Sequence, residues 1–138
     1  MTDAERPPRS QDDAGTARAL AIAVARAVHD ARCDDVQVID VRDLSQVTNY
    51  LVIATGTSDR QMRSAADDAE DIAKEGGHSL FGRSVDSAST WIVLDFVDVV
   101  THIFEPNARA YYDLETLWSE GPRVEWSDGR PRPGAAGV

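Results

Sequence analysis

The sequence predicts an α/β fold, in which a mixed central sheet of about five strands packs against helices. Its 138 residues suit one domain, and 42% of them are apolar, enough to bury a core. Short apolar runs that are typical of strands alternate with longer stretches of helical spacing. The densest apolar stretch, 91–105, reads WIVLDFVDVVTHIFE and predicts two strands joined by a hairpin at the polar break 95–98.

The first half of the chain begins with a polar arm. Residues 1–15 contain a Pro-Pro pair and predict a disordered segment. Thr16–Ala31 places alanines and valines at helical spacing, which predicts an amphipathic helix. Val36–Val41 alternates as a strand does, and Tyr50–Ala54 is a continuous apolar run that predicts a strand inside the sheet. Together these two runs predict a β-hairpin.

A turn of small residues then leads into a second helix. Ser58 and Gln61 have the spacing of a capping box, and Gly76-Gly77 supplies the helix end. A glycine turn before a helix can hold an anion, but this one has a single glycine and no lysine. Asp59 would also repel a phosphate. We therefore favour a capped strand-to-helix turn without a ligand.

The second half predicts strands and a closing helix. His78–Phe81 predicts a short strand, and 82–90 a polar loop before the hairpin. Pro106 suits the first turn of a helix, which is predicted over 107–118. Residues 121–138 are rich in proline and glycine and predict a flexible tail. The predicted element order is α-β-β-α-β-β-β-α, within a domain that spans residues 16–120.

Composition limits the function classes. The net charge of −10 argues against direct binding to nucleic acid and permits a basic protein partner. Cys33 is the one cysteine and can form no internal disulfide, which favours a reducing compartment such as the cytoplasm. We expect no membrane association, because the sequence has neither a secretory signal nor a run of roughly 18 apolar residues.

Two patterns could carry metal chemistry. His29 and Cys33 have a ligand-like spacing on a helix, but no second pair accompanies them, so we expect no metal site. Asp95 and Asp98 could hold metals in a nucleotidyltransferase. That chemistry usually requires Asp-x-Asp on one strand face, whereas these acids are separated by two residues across a turn. We therefore favour a turn-shaping role for them and expect no cofactor.

The polar and aromatic residues of the hairpin are the candidate binding residues. Alternation places Trp91, Val93 and Asp95 on one face of their strand. A face that carries Trp and Asp is the one we expect to be partly open, and a half-exposed Trp is a common interface anchor. A lone histidine in an apolar strand, here His102, is more often hydrogen-bonded than catalytic.

Three segments resemble the ribosomal silencing factor family, also called Iojap-related proteins. Residues 48–61 are similar to its TD-x-hydrophobic-VI-x-TGTS-x-RQ segment, and 91–104 to its W-hydrophobic-D-aromatic-GDVVVHVF hairpin. Residues 109–118 are similar to its R-x-x-Y-x-LE-x-LW helix. The chain departs from the family pattern where Asn49 replaces Asp and Val97 replaces Gly in the hairpin turn. Ser84-Val85 likewise replaces the usual Glu-Gly.

The resemblance implies a non-enzymatic factor that binds the L-fourteen protein of the large ribosomal subunit. Such a factor blocks joining of the small subunit and lowers translation when nutrients are scarce. The resemblance also implies a nucleotidyltransferase-like topology without the metal-binding acids, and homodimers in isolation. Trp91 is carried over as an interface position. We expect Asp95, Asp98 and His102, which match the motif, to join it in partner binding. The alternatives are a metal-dependent nucleotidyltransferase and a homodimeric scaffold without ribosome binding.

Overall fold

The computed structural model of the chain describes residues 5–11 and 15–130. A five-stranded mixed sheet lies at its centre with the strand order β1-β2-β5-β4-β3. The parallel pair β2–β5 lies in the middle, and the other neighbours are antiparallel. The elements are α1 Thr16–Asp30, β1 Asp34–Asp40, β2 Tyr50–Thr55, α2 Asp59–Glu75, β3 Gly82–Val85, β4 Trp91–Asp95, β5 Val99–Phe104, α3 Pro106–Tyr112 and α4 Leu114–Leu117. The predicted α/β class and the mixed sheet are confirmed.

Two long helices, α1 and α2, cover one face of the sheet. Their inward sides carry mainly alanine and valine, because small side chains let a helix approach a sheet closely. Beneath them the strands bury Tyr50, Val52, Ile92 and Leu94. The main core of the protein therefore lies between this face and the two helices, and Ile92 and Leu94 point into it as alternation along β4 predicts.

The turn from β2 into α2 is the capped turn that the sequence predicts. The Ser58 hydroxyl accepts a hydrogen bond of 3.1 Å from the Gln61 backbone N–H. The Gln61 side chain accepts in turn from the Thr57 backbone N–H at 2.9 Å. A Cβ atom at Gly56 would lie 2.1 Å from Cγ of Met62, so this glycine permits the close approach of the helix.

The other face of the sheet is only partly covered. Ile39, Leu51, Ile53 and Phe104 form a second, smaller apolar cluster there. Side chains of α3 and α4, and of the residue after α4, cover this cluster on one side, namely Ala108, Leu114 and Trp118. Because both helices are short, β4 and part of β5 remain half-exposed on this face. The partly exposed side chains there are Trp91, Val93, Asp95, Val100 and His102.

Two predicted elements differ from the structure. The strand predicted at His78–Phe81 lies instead at Gly82–Val85, within the predicted loop. Its pairing with β4 and the ion pairs of Arg83 with α2 fix this polar edge strand. The helix predicted over 107–118 is divided into α3 and α4, because Asp113 adopts a left-handed conformation with φ 48°.

The described parts of the predicted disordered arm and flexible tail contact the folded domain. Residues 5–11 of the arm contact the sheet, as described below, whereas residues 1–4 and 12–14 lie outside the described residues. In the tail, Arg123 pairs with Ile39 and the indole N–H of Trp126 donates to the Val36 carbonyl at 3.0 Å. Residues 121–126 therefore cover the outer edge of β1, and 131–138 lie outside the described residues.

None of the helices found in residues 5–11 and 15–130 has the length and hydropathy that a membrane span requires.

Candidate functional site

Trp91 lies at the centre of an aromatic group on the half-exposed sheet face. Its ring centroid is 5.0 Å from that of Phe104, 4.5 Å from Tyr112 and 5.9 Å from His102. The β4–β5 register explains this grouping, because it pairs Trp91 with Phe104 and Val93 with His102. Trp91 is thus both a packing residue and a partly exposed one.

His102 holds the indole of Trp91 in place. The Trp91 Nε1–H donates to Nδ1 of His102 at 3.1 Å, so the proton of the neutral imidazole is assigned to Nε2. Burial lowers the pKa of His102 from 6.5 to about 4. His102 is therefore neutral at pH 7. This hydrogen bond within the sheet is the alternative to a direct contact between His102 and a binding partner.

Two tyrosines at the end of α3 extend the group towards solvent. Tyr112 is 46% exposed and Tyr111 81% exposed, and their rings meet edge to face at 5.0 Å. We call Trp91, Tyr111 and Tyr112 the aromatic surface. Sequence reasoning placed both tyrosines on the predicted closing helix and did not select them as binding residues. Only the fold reveals that the Tyr112 ring lies against Trp91, with the two ring planes tilted by 39°.

Asp95 and Asp98 lie at the two ends of the β4–β5 turn. The Asp95 carboxylate accepts from the Val97 backbone N–H at 2.7 Å, which is the predicted turn-shaping role. Its Oδ2 also accepts a hydrogen bond from Nε of Arg6 at 2.8 Å. The Asp98 carboxylate accepts from the backbone N–H of Ser10 at 2.7 Å. Both acids therefore bind the N-terminal arm within the chain itself.

Arg109 connects α3 to the sheet and thereby positions the tyrosines. Its side chain is buried, and Nε donates to the Glu115 carboxylate on α4 at 3.0 Å. Nη1 donates to the Asp35 carbonyl at 2.7 Å and to the Thr55 hydroxyl at 2.8 Å. One guanidinium thus joins the two short helices to the ends of β1 and β2.

The chain is similar to a known protein family over most of its length. Residues 14–136 match the family model described as ribosomal silencing factor during starvation. The chain belongs to this family. It is 34% identical over 101 residues to ribosomal silencing factor RsfS of Bacillus subtilis, an alignment that covers 73% of this chain and 86% of that protein.

Plant members of the silencing factor family and solved structures are similar as well. The chain is 30% identical over 124 residues to the chloroplastic protein Iojap of Arabidopsis thaliana, covering 90% of this chain and 52% of that protein. A crystal structure of a Chromobacterium violaceum protein superposes with a TM-score of 0.71 at 28% identity. That match covers 84% of this chain and 96% of the other. The silencing factor family is described by an effect on ribosomes during starvation, which identifies its members as regulators of translation.

The metal patterns considered from the sequence are not assembled in the described part of this silencing factor. Among residues 5–11 and 15–130, no group of three or more His, Cys, Asp and Glu side chains could hold a metal ion. Cys33 is buried, which raises the pKa of its thiol to about 11. Its Sγ lies 3.5 Å from the Gln61 amide. The thiol is therefore protonated at pH 7 and packs as a small apolar group.

Proposed function

We propose that this chain binds the large ribosomal subunit through the L-fourteen protein and sterically blocks joining of the small subunit. Translation in the cytoplasm would fall accordingly when nutrients are limiting. The observation that carries the proposal is the match to the silencing factor family over residues 14–136. In this proposal the chain acts by occupying a surface and catalyses no reaction.

The aromatic surface supports a binding role. Large aromatic side chains that are partly exposed and held rigidly by their neighbours are typical of interface hot spots. Trp91 stacks on Phe104 and donates a hydrogen bond to His102, and the tilted ring of Tyr112 packs against it. A partner could therefore bury aromatic area without first ordering these side chains, which lowers the entropic cost of association.

Charge favours a basic partner. The chain carries 24 acidic and 14 basic side chains, and Asp95 lies on the same sheet face as Trp91. We propose that Trp91 supplies buried area, that Asp95 and Asp98 pair with arginine or lysine of the partner, and that His102 acts through its bond to Trp91. Acidic groups beside a rigid aromatic anchor are suited to a basic ribosomal protein.

Sedimentation with separated ribosomal particles tests the proposal. We expect the purified chain to migrate with large subunits and not with small subunits, and to reduce assembly of whole ribosomes from mixed subunits. Migration with neither particle would overturn the proposal. A scaffold role predicts a dimer by light scattering without ribosome binding, and an enzymatic role predicts calorimetric binding of a nucleotide with Mg²⁺.

A further inference from the structure

The N-terminal arm places an arginine in a site that the fold has built at the β4–β5 turn. Nε of Arg6 donates to Oδ2 of Asp95 at 2.8 Å, and Nη2 donates to Oδ1 at 3.1 Å. Nη2 also donates to the carbonyl of Val97 at 2.8 Å, and Nη1 donates to the carbonyl of Val47. We call this set of acceptors, the Asp95 carboxylate with the carbonyls of Val47 and Val97, the arginine receptacle.

The receptacle matches a guanidinium more closely than an ammonium group. Its acceptors receive donors from three nitrogens of one planar fork, a pattern that lysine cannot reproduce. The Asp95 carboxylate is also oriented by the Val97 backbone N–H. The side chains of Arg6 and Asp95 are 25% and 22% exposed, so the pair is accessible to solvent and exchangeable.

The residues after Arg6 fasten the arm to the same end of the sheet. Arg9 Nη1 donates to the Asn49 side-chain oxygen at 3.0 Å, and the Asn49 amide donates back to the Ser10 carbonyl at 3.2 Å. The Ser10 backbone N–H donates to Asp98 at 2.7 Å. The arm contacts at Asp95 and Asp98 are thus polar, which is typical of a segment that another basic chain can displace.

We propose that the arginine receptacle is a binding site for an arginine side chain of the basic partner, and that Arg6 competes with that arginine for it. This inference rests on the proposed function, because it assigns a partner group to Asp95. The arm lowers the apparent affinity for the partner, since the binding-competent form is only the fraction in which Arg6 has left the receptacle. The arm therefore acts as a built-in competitor of ribosome binding.

Limited trypsin digestion of the full chain tests whether the receptacle holds the arm, without any ribosome. Trypsin does not cleave after Arg6, because Pro7 follows, but it can cleave after Arg9. We expect Arg6→Ala and Asp95→Asn to speed release of the fragment ending at Arg9 by about threefold or more. Arg60→Ala, an equal charge change on exposed α2, should leave the rate unchanged. Equal rates for Arg6→Ala and wild type would overturn the receptacle.

Affinity for large subunits tests the competition. We expect Arg6→Ala to bind about three- to tenfold more tightly than wild type, and Arg60→Ala to bind as wild type does. In an Asp95→Asn background, Arg6→Ala should change affinity little, because the shared group is gone. Equal or weaker binding by Arg6→Ala would overturn the competition. Failure of wild type to sediment with large subunits would overturn the proposed function, whereas the trypsin result still decides the receptacle.

Discussion

The indole N–H of Trp91 donates its hydrogen bond to Nδ1 of His102, on the neighbouring strand, at 3.1 Å. An indole has one donor, so the polar edge of Trp91 is already satisfied within the sheet. Trp91 nevertheless remains partly exposed beside Tyr112. Trp91 is therefore suited to contribute apolar area and stacking to an interface, without a hydrogen bond of its own.

The first prediction concerns stability at acid pH. The folded pKa of His102, about 4, lies below the ordinary value of 6.5 because of burial. Between these two values the unfolded chain binds more protons, so the contribution of His102 is complete above pH 6.5 and is lost as the pH falls towards 4. We expect the loss to reach about 3 kcal/mol. Urea unfolding across this pH range measures it.

The control for this prediction is His102→Asn, which removes the titrating group and retains an acceptor. Carboxylates also contribute to acid sensitivity. Hydrogen bonding to Arg130 lowers the pKa of the exposed Asp30, and at Asp40 burial, which raises the pKa, is outweighed by hydrogen bonding to Arg42. The variant should therefore keep part of the acid sensitivity and lose the part between pH 6.5 and 4 that belongs to His102. Identical pH profiles of variant and wild type would contradict the assignment.

The second prediction concerns Val97 in the hairpin turn. Its φ of 72° lies in the left-handed region, where a β-branched side chain is strained. Val97→Gly should stabilise the folded state by relieving this strain. Part of that stabilisation is offset, because glycine increases the conformational entropy of the unfolded chain. We expect a net stabilisation of about 1 kcal/mol. Chemical denaturation measures it, and Val93→Gly in β4 should destabilise instead. A lower stability of Val97→Gly would contradict the strain.

The third prediction concerns the buried Arg109. Arg109→Ala leaves the Glu115 carboxylate without its guanidinium, and we expect a loss of about 3 kcal/mol of unfolding free energy. Arg109→Lys should recover only part of it, because the donors of an ammonium all lie on one nitrogen, whereas arginine reaches Glu115 from Nε and Asp35 and Thr55 from Nη1. Denaturant unfolding of both variants measures their unfolding free energies, which should fall in the order wild type, Arg109→Lys, Arg109→Ala. Equal stability of the lysine variant and wild type would contradict the requirement for a guanidinium at this position.

The fourth prediction concerns binding by the aromatic surface. Trp91→Ala should weaken large-subunit binding by at least about 2 kcal/mol, and Tyr112→Ala by about 1 to 2 kcal/mol. Tyr112 is 46% exposed, so its removal should leave the fold intact, whereas Trp91→Ala also removes internal packing and requires a check of folding. Phe81→Ala, which removes an exposed aromatic ring outside the surface, is the matched control. Unchanged sedimentation of folded Trp91→Ala would reject the anchor.

The hairpin was predictable because the sequence pattern that specifies it lies within a few consecutive residues. An alternation of two residues assigns each side chain of β4 to a face, and Ile92 and Leu94 are indeed buried under the helices. The break at Asp113 was not predictable in this way, since apolar side chains continue at helical spacing on both sides of it. The position of β3 depends on pairing with β4 and on the ion pairs of Arg83, which are tertiary contacts.

The candidate site was likewise predictable where it depends on local sequence pattern and not where it depends on tertiary contacts. The common face of Trp91 and Asp95 follows from periodicity, whereas the contact of Trp91 with Tyr112 follows from how α3 returns to the sheet. The placement of Arg6 was hidden, because a polar, proline-containing segment resembles a disordered one. Its partners lie far away in sequence, and no local pattern indicates which carboxylate an arginine reaches.

The parallel pairing of β2 with β5 has a consequence for synthesis of the chain. β2 ends at residue 55, but its inner neighbour is complete only at residue 104. During translation the apolar strand YLVIAT therefore has one unpaired edge until the later hairpin has emerged. Pairings between segments distant in sequence form slowly, and an unpaired apolar edge invites association with other chains. The nascent chain is thus most prone to aggregation in the interval between these two strands, and a chaperone that binds apolar strands would act there.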